Sequence, residues 1–425
     1  MADAITLFLL FAAIIIIGVA GEIIFSKTGI PDVLWLVFVG ILLVPVFGVI
    51  SKDVLWSFTP LFSALALIII LFDGGMHLRL NEVFKEAPKS FFLALTGFII
   101  SMAFVAAATE ALAFFGFLKN WSLLNGILLG AIMGGTSSII VMPLVSRMQG
   151  LKKNVSSLLS IESTLTDSFV IVVVISLLQV FSLNSGIIDL RQLTSSIAGS
   201  FLIGIAAGTI AGMIWIKALQ ATEKFKRYHY IITFAFLLLT YSAVELINGS
   251  GALAVLAIGI IFGNSTRITS MFSFRRLLVG EEEVNAFHAQ VSFFVKTFFF
   301  ALIGMLLVFS IEIMAIALGL TMLLLLARII ATKIIARGKE FSAFDRKAIS
   351  VFMPRGLAAA VMAVLPLSYG IAGAEIFSEL VFAVILFSII VCTLGVFSLK
   401  FSKNGETAAP EEKTLEPMNI TEPPK

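Results

Sequence analysis

Thirteen stretches of this sequence are apolar over a length that suits a bilayer, and no soluble domain separates them. They lie near 4–24, 31–50, 58–75, 89–115, 123–146, 154–182, 194–218, 229–248, 250–263, 286–309, 313–336, 345–371 and 375–400. About 20 apolar residues cross ~30 Å of hydrocarbon as a helix. Inside that medium every backbone group needs a partner in its own segment, which leaves helices as the fold. Only 13% of the 425 residues are charged and 59% are hydrophobic, where a soluble domain carries about a quarter charged. The expected class is an all-α polytopic membrane protein spanning residues 1–401. The ninth run is short. The first lacks a basic leader and is read as a retained helix, not a cleaved signal. Asn264–Glu283 suits an amphipathic surface helix. Residues 402–425, rich in Pro, Glu and Thr, are expected to be a disordered cytoplasmic tail.

The connections between runs alternate in charge. One set holds Lys27; Arg79, Lys85 and Lys89; Arg147, Lys152 and Lys153; and Lys217, Lys224, Lys226 and Arg227. It continues with Arg267, Arg275 and Arg276; Arg337, Lys339, Arg346 and Lys347; and Lys400 and Lys403. The opposite set holds Lys52, Lys119 and Arg191. The positive-inside rule makes the first set cytoplasmic, with the N-terminus outside and the C-terminus inside the plasma membrane.

Two runs are interrupted alike. The fifth contains Gly134-Gly135-Thr136-Ser137-Ser138 and then Pro143; the twelfth contains Met353-Pro354-Arg355-Gly356 and then Pro366. Glycine and proline release backbone groups that are tolerated at membrane depth only beside a polar cavity or other protein. Matched breaks point to two inverted six-helix repeats around a site near the midplane, joined by the seventh helix.

The sixth run carries Ile161-Glu162-Ser163-Thr164-Leu165-Thr166-Asp167-Ser168. At roughly 100° per residue Ser163 and Asp167 share one face, and Glu162 and Thr166 a neighbouring one. A carboxylate at mid-depth is costly unless paired or hydrated, and by default marks an ion or proton pathway. The plainer alternative is a polar cluster gluing helices. Asp73 closes the third run and is either a second site acid or an interfacial one. Arg355 requires a carboxylate partner; Glu162 is the expected one, with Arg328 able to share the role. Lys296 either snorkels to the interface or projects inward. Glu110 and Glu245 are assigned no role. Cys392 stands alone, so neither a disulfide nor a CxxC site is possible. His77, His229 and His288 fall near the connections, which disfavours a histidine metal site.

Together these motifs resemble the cation–proton antiporter superfamily, and most closely the sodium/proton exchangers of the NhaP kind. The resemblance runs through Leu71–Gly75, Gly134–Ser138, Glu162–Asp167, Phe298–Met305 and Pro354-Arg355-Gly356. It implies a cation and proton site at Asp167, Asp73, Ser163, Thr136 and Thr166, with Na+, or K+ or Li+, held at Asp167, Asp73, Ser163 and Thr136 without a further cofactor. Two positions depart from the family pattern. Thr166 stands where Asn or Asp is usual, and Thr136-Ser137-Ser138 replaces Thr-Asp-Pro. The expected activity is exchange of a monovalent cation, sodium first, for a proton by alternating access. One titrating carboxylate makes it electroneutral. A K+/H+ antiporter of the potassium-efflux type is the alternative, since those systems also carry a neutral residue beside the aspartate. The resemblance further implies a homodimer in contact with membrane lipids. Its core bundle, about 89–182 and 313–400, would move against a dimerisation part, about 1–75 and 194–309. Lys296 is a possible modulator. No enzymatic activity or nucleic-acid partner is expected. Rival classes are a cation channel, which requires a continuous pore, and an intramembrane aspartyl protease using Asp73 and Asp167.

Overall fold

The computed structural model describes residues 2–28, 30–77, 88–146, 148, 150–182, 190–221, 228–265, 281–338 and 340–407. Among them, seven helices are long and apolar enough to cross a membrane. Shorter apolar helices, including Asp32–Val46, Gly251–Gly263 and Leu357–Ser368, occupy other predicted runs. The protein is therefore a multi-pass, all-helical membrane protein. The surface helix expected at Asn264–Glu283 falls outside the described residues except at its two ends.

The order is α1 (Ala2–Thr28), α2 (Asp32–Ile41, continued by a π turn at Leu42–Val46), α3 (Lys52–His77) and α4 (Pro88–Phe114). The fifth run forms α5 (Leu123–Met133) and α6 (Ser138–Ser146), and the sixth forms α7 (Lys153–Ser182). Then come α8 (Leu190–Ala221), α9 (His229–Leu246), α10 (Gly251–Gly263), α11 (Glu281–Leu306) and α12 (Ile311–Ile335). The twelfth run forms α13 (Ala343–Val351) and α14 (Leu357–Ser368), and α15 (Glu375–Thr407) follows. Residues 402–407, expected to belong to the tail, continue α15, and residues 408–425 lie outside the described residues.

Packing sorts the helices into two groups. In the first, α10 lies against α3, α8 and α9, while α11 lies against α1, α2 and α3. In the second, α4 contacts α5, α7 and α12, and α15 contacts α12, α13 and α14. The groups meet where α3 touches α7 and α14, where α7 touches α8, where α11 touches α14 and α15, and where α2 touches α15.

Each break has a local cause. Gly134 and Gly135 permit close approach: a Cβ on Gly135 would stand 2.6 Å from Val170 and 2.8 Å from the Thr166 carbonyl. Pro354 removes the N–H that would continue α13, and Gly356 packs directly on Ser137. The two breaks touch, with the Ser137 N–H donating to the Pro354 carbonyl at 2.8 Å.

Candidate functional site

Asp167 stands midway along α7, beside the start of α6. The Ser138 backbone N–H and hydroxyl both donate to its Oδ2, at 3.0 and 2.5 Å. A carboxylate there also complements the partial positive charge at the N-terminus of α6. It lines a cavity of about 480 Å³ whose walls come from both groups. From α1, α3, α10 and α11 come Glu22, Asp73, Leu256 and Lys296; from α6, α7 and α14 come Ser138, Thr164, Asp167, Ser168 and Leu357. Asp73 and Asp167 thus share one cavity, and each is half-buried.

The polar stretch of α7 divides differently from the expected faces. Thr164, Asp167 and Ser168 stand at i, i+3 and i+4, which places them on one side of a helix, and all three line the cavity. Glu162 and Thr166 turn to the crossover instead. The Thr136 hydroxyl lies 3.1 Å from both Glu162 Oε1 and Thr166 Oγ1, and its N–H donates to Thr166 Oγ1 at 3.0 Å. Ser163 is fully buried and donates to the Ser160 carbonyl at 3.0 Å. Of the five predicted site residues, Asp167 and Asp73 reach the cavity, while the Thr136 and Thr166 hydroxyls face the crossover and Ser163 does not line the cavity. Sequence reading missed Ser138, Thr164 and Ser168; the i, i+3, i+4 spacing about Asp167 was the available signal for the last two.

The predicted Glu162–Arg355 pairing is corrected. Glu162 is held by Arg328, whose Nη1 and Nη2 donate to its two carboxylate oxygens at 2.8 and 3.0 Å. Arg328 Nε donates to the Ile349 carbonyl at 2.9 Å. This planar fork suits a carboxylate, and both residues are buried. Arg355 donates to the carbonyls of Gly134 and Gly135, satisfying acceptors that the end of α5 exposes. A cation there also opposes the negative pole of that half-helix. Chain distance hid this outcome: both arginines lie far from Glu162 in sequence.

Lys296 resolves inward. Its Nζ lies 2.6 Å from Asp32 Oδ2 and 3.8 Å from Glu22 Oε2, and 5.6 Å from the centre of the Phe293 ring. Neither acid was singled out from sequence. Glu245, assigned no role, has polar company: its Oε1 accepts from the Gly251 N–H at 2.8 Å, where α10 begins. Elsewhere, Lys152, just before α7, joins Asp345 of α13 at 3.2 Å, and Lys89 of α4 joins Glu340 in the α12–α13 link. No cluster of three or more His, Cys, Asp or Glu suited to a resident metal occurs among the described residues.

A helical membrane protein with two discontinuous helices in contact beside a mid-helix carboxylate is the class this fold and site define. The chain belongs to the family described as sodium/hydrogen exchanger, transmembrane, whose profile matches residues 9–401. It is 29% identical over 398 residues to the K(+)/H(+) antiporter NhaP2 of Shewanella sp. (strain ANA-3), covering 92% of this chain. It is 29% identical over 284 residues to the Na(+)/H(+) antiporter ApNhaP of Aphanothece halophytica, covering 65% of this chain. The chain spans 66% of the first relative's length and 49% of the second's. In fold it matches the sodium proton antiporter MjNhaP1 of Methanocaldococcus jannaschii, with a TM-score of 0.71 and 21% identity over 94% of this chain and 98% of that one. Membership of an exchanger family sets aside the protease and channel readings.

Proposed function

We propose that this protein exchanges a monovalent cation for a proton across the plasma membrane by alternating access, with Asp167 carrying whichever ion is bound. The observation behind this is the position of Asp167, midway along α7 in a cavity shared by two packing groups. A single carboxylate that holds either a proton or a cation couples the two fluxes by mutual exclusion. Glu162 is paired with Arg328, and that pair holds the crossover together. Asp73, on the facing wall, tunes cation affinity. Lys296, already paired with Asp32, modulates the field in the cavity. The bound site then has the same net charge with either ion, and exchange is one for one.

Sodium is the cation proposed first. Potassium is the second reading, supported by the activity for which the Shewanella relative is named. The group α4–α7 with α12–α15 is the moving bundle in this reading, and α1–α3 with α8–α11 is the dimerisation part of a homodimer. Proteoliposomes carrying an internal pH dye test the activity. Each alkali cation is added in turn, at zero and at negative clamped potential. Asp167→Asn is expected to abolish cation-driven proton movement while the protein still inserts. Ordinary exchange by that variant would remove Asp167 from the mechanism, and an end point that follows the potential would overturn the one-for-one ratio.

The orientation follows from the basic connections, N-terminus outside and C-terminus cytoplasmic. Single cysteines at Lys119 and Arg337, with Cys392→Ser as background, are the test. An impermeant thiol reagent is expected to label position 119 from outside and to spare position 337; the reverse pattern overturns the orientation.

A further inference from the structure

This inference rests on Asp167 being the ion-binding carboxylate and concerns what else holds the cation. An alkali cation takes several hard oxygen ligands, and one carboxylate does not complete the set. The hydroxyls of Thr136 and Thr166 face Glu162 and each other, and Ser163 is buried against its own helix. Three different hydroxyls share the cavity with Asp167: Ser138, Thr164 and Ser168. Thr164 donates to the Ser160 carbonyl at 2.9 Å and Ser168 to the Thr164 carbonyl at 3.2 Å. Each therefore keeps lone pairs free to accept, because a hydroxyl has one proton and two acceptor positions.

Ser138 differs from these two. Its hydroxyl proton and its N–H converge on a single oxygen of Asp167, which leaves Oδ1 as the open carboxylate ligand. Rotation about one bond turns the hydroxyl from donor to acceptor, while the backbone N–H keeps the carboxylate in place. A proline here would supply neither group.

We propose that Ser138, with Thr164 and Ser168, supplies the neutral oxygen ligands of the cation at Asp167, and that Ser138 turns from donor to acceptor as the cation enters. Ser138 is then a residue that sets cation affinity, and α6 delivers it by beginning at the break.

The test uses full-length protein at alkaline pH, where the carboxylate is ionised, with sodium and potassium as probes. Half-saturating cation concentration is read from exchange in proteoliposomes. Binding is read separately from the rise in melting temperature that each cation gives purified protein, since a ligand that binds only the folded state stabilises it. Ser138→Ala is expected to raise the half-saturating concentration about tenfold, equivalent to ~1.4 kcal/mol, with little change in maximal rate. Ser138→Thr is expected to restore most of the affinity, and Ser168→Ala to show a smaller rise. If Ser138 only donated to the ionised carboxylate, removing it would free that oxygen, and cation binding would tighten. Tighter or unchanged binding in Ser138→Ala overturns the proposal, as does a larger loss in Ser163→Ala than in Ser138→Ala. Should Ser138→Ala fail to fold, unaltered affinity in both Ser168→Ala and Thr164→Val overturns it instead. Absence of cation-driven proton movement in the unmodified protein would sink the exchange reading itself, a result distinct from any of these.

Discussion

The two helix groups are held together by different physics. In α1–α3 with α8–α11, backbones approach at glycine. A Cβ on Gly304 would overlap the Val37 carbonyl, and one on Gly40 would overlap that of Ala301. Gly75 and Gly259 fit the same way between α3 and α10, and Gly208 fits against Ala254. Small residues at crossings are how helices gain dispersion contact in a medium that gives no hydrophobic drive. The group α4–α7 with α12–α15 also has such crossings, at Gly130 against Met102 and Gly126 against Ala106. Its centre, however, is polar: Glu162 with Arg328, Arg355 on the crossover carbonyls, and Thr136 with Thr166.

The contrast teaches where motion is cheap. Among the described residues, the close glycine contacts fall within one group or the other. The buried charges of the second group have their partners inside it, so a rigid displacement of that group would leave them satisfied. Across the boundary the cavity walls meet through side chains such as Ile69, Leu71 and Phe293 on one side and Ile139, Met142 and Ile171 on the other. Side-chain surfaces slide more readily than interlocked backbones, which supports the proposed division into moving and fixed parts.

The largest expected effect lies in the polar centre. Removing one partner of a buried ion pair leaves the other charge stranded, at a cost of about 3–5 kcal/mol. Glu162→Gln and Arg328→Gln are each expected to lower thermal stability in detergent sharply, and the double variant by less than their sum. Strict additivity in that cycle would show the pair to be energetically uncoupled. Arg355→Gln combined with Glu162→Gln is expected to be closer to additive, because the structure gives Arg355 carbonyl partners.

A smaller effect is expected at the glycine crossings. Gly304→Ala forces the backbones of α2 and α11 apart, and overpacking of this kind costs about 1–3 kcal/mol. Gly74 provides the matched control within the same group. A Cβ there meets no atom within 4 Å, so Gly74→Ala is expected to change stability by less than ~0.5 kcal/mol. Thermal unfolding of the two variants side by side checks this; equal losses would show that the crossings do not depend on backbone contact.

Much of this was legible in the chain. The apolar runs, the Gly134–Ser138 and Met353–Gly356 breaks and the intramembrane carboxylate follow from what hydrocarbon refuses: unpaired backbone and unpaired charge. Those constraints act on each residue wherever its neighbours lie, so a linear reading finds them. Partner choice is different. Arg328 and Arg355 look alike in sequence, each a buried cation needing an acceptor. Only the packing of α12 on α4 and the meeting of the two breaks gave one the carboxylate and the other the carbonyls. The rotation of α7 was likewise undecided, since Ser163 and Thr164 both lie about one turn from Asp167. Close contact with Gly135 turned Thr166 to the crossover and left Thr164, Asp167 and Ser168 on the cavity. Composition and periodicity determined a helical membrane protein with a charged centre. Tertiary structure decided which oxygens surround that centre, because a side chain's partner depends on what the fold brings within about 3 Å.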